Sequence, residues 1–335
     1  MLPLFLFLAA SAPAQPSPRE LIDAGHCKRA RALVEARQAT DAETLYLMAT
    51  VKQLWHDLDA AQKFAERAVG ANPKSADYHY RLSDITGEKA QNASMIHQIG
   101  LGRMFKKECD AALAIDPNHI GALKNMLQFH LHAPSVIGGD KAQAQAIADH
   151  LMKLDPVEGF DAQIEIARTA KQQGRVAELI RNALATPAET YAAHLRQGTY
   201  LGNQGKFEES ERHAREAIRI HPDRAVPRAL LAALLVREDK LAGVDTVLTE
   251  AEKADPDNLY PYYRAANNLL DRKIELPRAE RYFRKYLSQE PEPQMPSLAT
   301  AHWRLSLVLE QQGRKPESAA EFQTAVKLDP AIKKR

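Results

Sequence analysis

Small and apolar residues recur along this chain in a fixed order. In residues 191–224 they are Gly198, Leu201, Gly205, Phe207, Ala214 and Ala217, with Pro222 closing the segment. These fall at positions 8, 11, 15, 17, 24, 27 and 32 of a 34-residue frame. The order predicts two helices joined by a turn and ended by proline, which removes a backbone donor and clashes with the preceding turn. It returns at the end of the chain as Leu305, Ser306, Leu309, Gly313, Ser318, Phe322, Ala325 and Pro330. From Ala225 it reads Leu231, Ala232, Leu235, Leu241, Ala251 and Pro256, with Asp239 where the turn glycine belongs. From Leu259 it reads Tyr262, Ala266, Leu269, Ala279, Phe283 and Pro291, and near the start Leu45, Met48, Ala49, Ala61, Ala65, Ala68 and Pro73.

The closing prolines are Pro73, Pro117, Pro156, Pro187, Pro222, Pro256, Pro291 and Pro330, spaced 44, 39, 31, 35, 34, 35 and 39 residues apart. A period of this size predicts a solenoid of hairpins, each burying its apolar face only against its neighbours. The pattern resembles the tetratricopeptide repeat (TPR), and the chain looks like an exported bacterial TPR protein of unassigned function. The resemblance implies an all-α solenoid, a right-handed superhelix of about one turn. In that family small residues at positions 8, 20 and 27 let successive helices touch. Residues 15–335 are expected to form one such array. A half repeat over 18–41 comes first, carrying Gly25, Cys27, Ala30, Leu33 and Val34 in register. Units ending near each proline follow.

Three units depart from the frame. One carries about ten extra residues around 93–102, including apolar Met95, Ile96, Ile99, Met104 and Phe105 nearby. Its helices are expected to be longer and to pack on each other; the other reading is a protruding hairpin that docks a partner. The next carries about five extra residues, 133–139, whose Val136 and Ile137 are expected to tuck against a neighbour. The unit ending near Pro187 is about three residues short, which weakens its second helix.

The first ten residues, MLPLFLFLAA, followed by Ala12-Pro13-Ala14, have the shape of a secretory signal cleaved after Ala14, so residues 1–14 are assigned to it. The run is shorter than the roughly 20 residues of a membrane span. The expected location is therefore periplasmic or secreted. Lys and Arg total 45 against 43 acidic residues, a balance that argues against nucleic acid as the main ligand.

No constellation for catalysis stands out. His130 and His132 are two apart, on different faces of a helix. Gly138-Gly139 lacks the preceding strand that dinucleotide motifs require, and Asp140 reads as a helix cap. The twelve His and two Cys show no metal-ligand spacing, so neither metal nor cofactor is expected. Cys27 and Cys109 lie two repeats apart, too far for a disulfide, and read as small buried groups.

In the family the first helix of each unit lines a concave surface. Carried over by register, this gives Tyr46, Tyr80, Asp84, Lys124, Gln128, Arg168, Tyr263, Asn267 and Trp303 as partner-binding candidates. The same rows hold Leu195, Thr199, Ala229, Ala233 and Tyr260. The amphipathic rings suit protein or peptide recognition. The expected function is a non-enzymatic protein-protein interaction scaffold of the cell envelope. One alternative is an accessory subunit of an envelope or polysaccharide export system that binds carbohydrate. Another is an enzyme with its site on the Gly-Gly loop and the insertion.

Overall fold

The computed structural model describes residues 15–334. The expected signal segment, 1–14, lies outside the described residues, as do the side chains of Met95 and Ile96. Eighteen α-helices and two 3-10 turns follow one another, with no strand among the described residues. They are paired as hairpins: α1 (Pro18–Ala24) with α2 (Cys27–Glu35), α3 (Ala42–Leu54) with α4 (Leu58–Ala71), and α5 (Ala76–Asn92) with α6 (Met95–Ile115). Then come α7 (Ile120–His132) with α8 (Lys141–Leu154), α9 (Pro156–Thr169) with α10 (Gln173–Ala185), and α11 (Tyr191–Asn203) with α12 (Phe207–Ile220). The last are α13 (Ala225–Arg237) with α14 (Leu241–Ala254), α15 (Tyr260–Arg272) with α16 (Leu276–Tyr286), and α17 (Leu298–Gln311) with α18 (Lys315–Leu328). This is the all-α solenoid of repeats expected.

Local chemistry explains the helix limits. Acidic or hydroxyl side chains cap many starts: Asp41 accepts from the Thr44 amide at 2.9 Å, Asp140 from Ala142 at 2.8 Å and Ser297 from Thr300 at 3.2 Å. The turn inside most hairpins contains a left-handed residue, the α5–α6 turn with Ala93 and Ser94 being an exception. Glycine supplies it at Gly205 and Gly313, but His56, Lys171, Asp239 and Lys273 adopt it with a side chain. The small positions let helices touch. Ala214 and Ala217 have no exposed surface. Ser210 Oγ donates to the Gly198 carbonyl at 2.6 Å, and Ser318 Oγ, at the same repeat position, to Ser306 at 2.8 Å. Where a helix has neighbours on both faces it is apolar all round, as α13 is, with Leu231, Ala232, Leu234, Leu235 and Val236 all buried.

The irregular units take particular forms. α5 and α6 run to 17 and 21 residues and pack together, the Phe105 ring filling the space beside Gly87. The loop after α7 does not tuck against a neighbour, correcting that expectation: Val136 is 90% and Ile137 56% exposed. The reason is the turn itself. Gly139 approaches the Ala133 carbonyl so closely that the intervening 3-10 turn bulges outward. The short unit keeps a 13-residue second helix, α10. Its missing residues come from the connection before it, where Asp155 both ends α8 and caps α9 by accepting from the Val157 amide at 2.8 Å.

The array also closes on itself. The α1–α2 hairpin reaches the turn after α12 through His26 and Asp223, the turn after α14 through Arg29 and Asp257, and the segment after α16 through Arg31 and Glu290. A superhelix must complete about one turn for its first hairpin to meet these units.

Candidate functional site

The first helices of four consecutive units, α9, α11, α13 and α15, line a concave cleft of about 380 Å³. Its floor is aliphatic, made by Leu195, Ala229, Leu230 and Ala233, and Tyr191 and Tyr260 stand at its sides. Small residues on α13 form the floor because that helix is squeezed between neighbours, so the wall recedes there.

Three arginines face this space: Arg196, Arg237 and Arg264. Arg196 is ion-paired with Asp161, which also accepts from the Tyr200 hydroxyl at 2.9 Å. Burial pushes the Asp161 carboxyl up, with Arg196 and Tyr200 opposing it. Arg237 donates to the Gly202 carbonyl at 3.0 Å and lies over the Phe207 ring. Among the described residues neither Arg237 nor Arg264 has a carboxylate within ion-pair distance, and the Arg264 guanidinium, unlike that of Arg237, makes no hydrogen bond either. Glu158, on the rim, is paired with Lys124 at 2.8 Å. An aliphatic floor with an uncompensated cation suits an apolar segment bearing a carboxylate.

The residues expected from the register are placed unevenly. Tyr260, Leu195, Thr199, Ala229 and Ala233 all line this cleft. Tyr263 is turned inward against Phe283 and Tyr286, and Asn267 donates to Asp271. Asp84 and Gln128 share a second cleft, about 640 Å³, with Gln53, Asn125 and Phe129. There Asp84 accepts from Gln53 at 2.8 Å. Tyr46 is buried in a stack with Tyr78 at 5.1 Å, and Tyr80 packs against Gly121 and the His119 ring. Arg168 is exposed, and Trp303 packs at the C-terminal end beside Ala325 and Ile332.

The register left out Arg196, Arg264, Asn203 and Arg237. They occupy repeat positions 6 and 13, and the steps 2, 6, 9, 13 trace one helical stripe. That spacing was the available signal. Among the described residues no group of three His, Cys, Asp or Glu side chains could hold an ion. Among them, too, no helix is long and apolar enough to cross a membrane. Both cysteines are free and buried.

Comparison with known proteins agrees with this architecture. A tetratricopeptide-repeat family model matches residues 263–331. Yeast Tom70 aligns with 95% of this chain at 17% identity and a TM-score of 0.51, and the alignment spans 63% of that chain. Pseudomonas aeruginosa PilF aligns with 62% of this chain and 92% of its own at 16% identity and a TM-score of 0.39. PilW, described as a widely conserved type IV pilus biogenesis factor, aligns with 62% of this chain and 93% of its own at 18% identity and a TM-score of 0.43. No curated protein matches the sequence significantly. With residues 263–331 matched to the tetratricopeptide repeat and the same kind of hairpin repeated through the described chain, the fold is an all-α solenoid of tetratricopeptide-like hairpins.

Proposed function

We propose that this chain is a non-enzymatic scaffold of the cell envelope that holds a segment of a partner protein along its concave surface. The α9–α15 cleft is the principal seat. The observation that carries this reading is the unpaired Arg264 over an aliphatic floor flanked by Tyr191 and Tyr260. Such a cleft offers rigid aromatic contact and one charge-assisted bond, the ingredients of a binding hot spot. The signal-like start of the sequence supports export to the periplasm or the cell exterior.

Site-specific photo-crosslinking in cells tests the seat. A crosslinker at Asn203, exposed in the cleft, is expected to capture a discrete protein adduct, and one at Arg215, exposed on α12, is not. Arg264→Glu should reduce the Asn203 adduct by tenfold or more. Equal adducts at the two positions would refute the groove reading. N-terminal sequencing of the chain from an envelope fraction should find Gln15 first, and an intact Met1 would refute the processing.

A further inference from the structure

The contact that closes the array is built almost wholly from charge. Asp223 Oδ2 and Asp255 Oδ2 each lie 3.3 Å from a ring nitrogen of His26, the Asp255 contact lacking hydrogen-bond alignment. Arg29 reaches Asp257 at 2.6 Å and Asp255 at 3.4 Å. Arg31 pairs with Glu290 at 3.2 Å and lies over the Trp55 ring, whose indole N–H donates to the same carboxylate at 2.9 Å. Lys28 Nζ donates to the Glu290 carbonyl at 2.7 Å. Arg228 stands behind Asp223, bound to the Pro222 carbonyl, and Arg224 is next to Asp223 in sequence.

One member of this seam is out of place as an anion. Glu292 is 2% exposed; one carboxyl oxygen accepts the Lys28 amide at 3.1 Å, at the first turn of α2, and the other is buried with no hydrogen-bond partner. His26, the residue preceding α2, offers no side-chain cap, so Glu292 caps that helix from across the superhelix. A buried carboxylate with one oxygen unsatisfied is costly, and the neutral acid costs much less.

We propose that the α1–α2 hairpin is a proton-linked latch: it closes the superhelix when Glu292 is neutral and His26 charged, and releases the loops after α12, α14 and α16 as pH rises. Its release frees the array to extend and so alters access to the concave surface. The proposal stands apart from the identity of any partner.

The direction follows from both groups. Burial pushes Glu292 up to about 7 from an ordinary 4.5, with Lys28 opposing. Asp255 raises His26 above its ordinary 6.5, against its burial. Each group therefore gives up a proton on opening. The Glu292 contribution to closure is full below 4.5 and is lost as pH climbs to about 7. The His26 contribution is full below 6.5 and is lost through its raised closed-state value. Asp223 and Glu290 act at the other end. Burial raises Asp223, but its own backbone and His26 outweigh this; Trp55 and then Arg31 lower Glu290. Their contributions are present above the ordinary carboxylate range and fail as pH falls through the lowered values. Closure is tightest near about pH 4.5, where the lowered carboxylates are still ionised and Glu292 has not begun to lose its contribution.

The two native thiols make the test. Cys27 is buried beside Glu292 in the seam, and Cys109 is buried in α6, outside it. Alkylation of each by iodoacetamide in the full-length chain is measured from pH 5 to 8.5 and divided by its rate in the unfolded chain at the same pH. Cys27 protection is expected to fall by on the order of 10²-fold across that range, with Cys109 protection unchanged. Glu292→Gln keeps an acceptor for the Lys28 amide, and should flatten the Cys27 profile by tenfold or more. The wild-type profile decides the matter even if that variant folds poorly. A flat Cys27 profile, a joint fall of both thiols, or an unaltered slope in a folded Glu292→Gln chain would overturn the latch.

Discussion

Gly159→Ala adds one methyl group in the first turn of α9, where helix propensity alone would favour it by up to about 1 kcal/mol. The packing there forbids it. The new Cβ would sit 2.3 Å from Met152 Cα and 2.6 Å from Met152 N on α8. Unbonded carbons rest at about 3.5–4.0 Å, so the two helices would have to part by more than about 1 Å. Overpacking of this kind costs about 1–3 kcal/mol, and the upper end applies because the obstacle is backbone, which cannot rotate away. The joint cannot slide either, since Asp155 ends one helix and caps the next. The expected net loss is about 2 kcal/mol after the propensity gain. Gly70→Ala is the matched control: nothing lies within 4 Å of the position, in α4. It should gain about 0.5–1 kcal/mol. Urea denaturation followed by far-UV circular dichroism reads both. A Gly159→Ala midpoint at or above wild type would refute the close approach of α8 and α9.

Three further outcomes are expected. Ala217→Glu forces a carboxylate into a position with no exposed surface; overpacking of about 1–3 kcal/mol plus charge burial should lower the melting temperature by several degrees, and an unchanged value would show that the α12 contact is absent. Lys171→Gly relieves a left-handed backbone at φ 57° on an exposed side chain, and should stabilise by about 0.5–1 kcal/mol in the same urea assay. Thiol titration in denaturant without reductant should find two free thiols per chain, since Cys27 and Cys109 are both free and buried; a mapped Cys27–Cys109 peptide would contradict the α2 placement.

The repeat frame was readable because it rests on short-range rules. Proline cannot continue a helix, and Ala214, Ala217 and Ser210 mark where helices approach. The left-handed turns at Lys171 and Lys273 hid from the glycine pattern because the surrounding hairpin enforces a conformation that the local residue only tolerates. The cleft was half legible: position 2 gave Tyr260, but position 5 turned Tyr263 into the α16 packing, and the stripe at 6 and 13 was missed. Val136 and Ile137 read as residues in need of cover, yet the turn at Gly139 sets their direction. The seam between α2 and the later turns was invisible. Its partners lie about 200 or more residues apart, and each charge alone looks like an ordinary solvated surface group.

An open array of hairpins behaves as a line: end units fray first, and a unit can be gained or lost with little consequence elsewhere. Joining the first hairpin to the later turns converts the line to a loop. Its first hairpin is no longer free to fray, although α17–α18 lie beyond the joint, and breaking the contacts at one point inside the loop leaves the two sides tethered through the other. The count of units also becomes fixed. Deleting or duplicating one hairpin between α3 and α12 would shift the angular position of Asp223, Asp255 and Glu292 relative to His26 by a full unit. An evolutionary freedom common to solenoids is thereby withdrawn within the loop: the units between the two sides of the joint can vary in sequence but not in number.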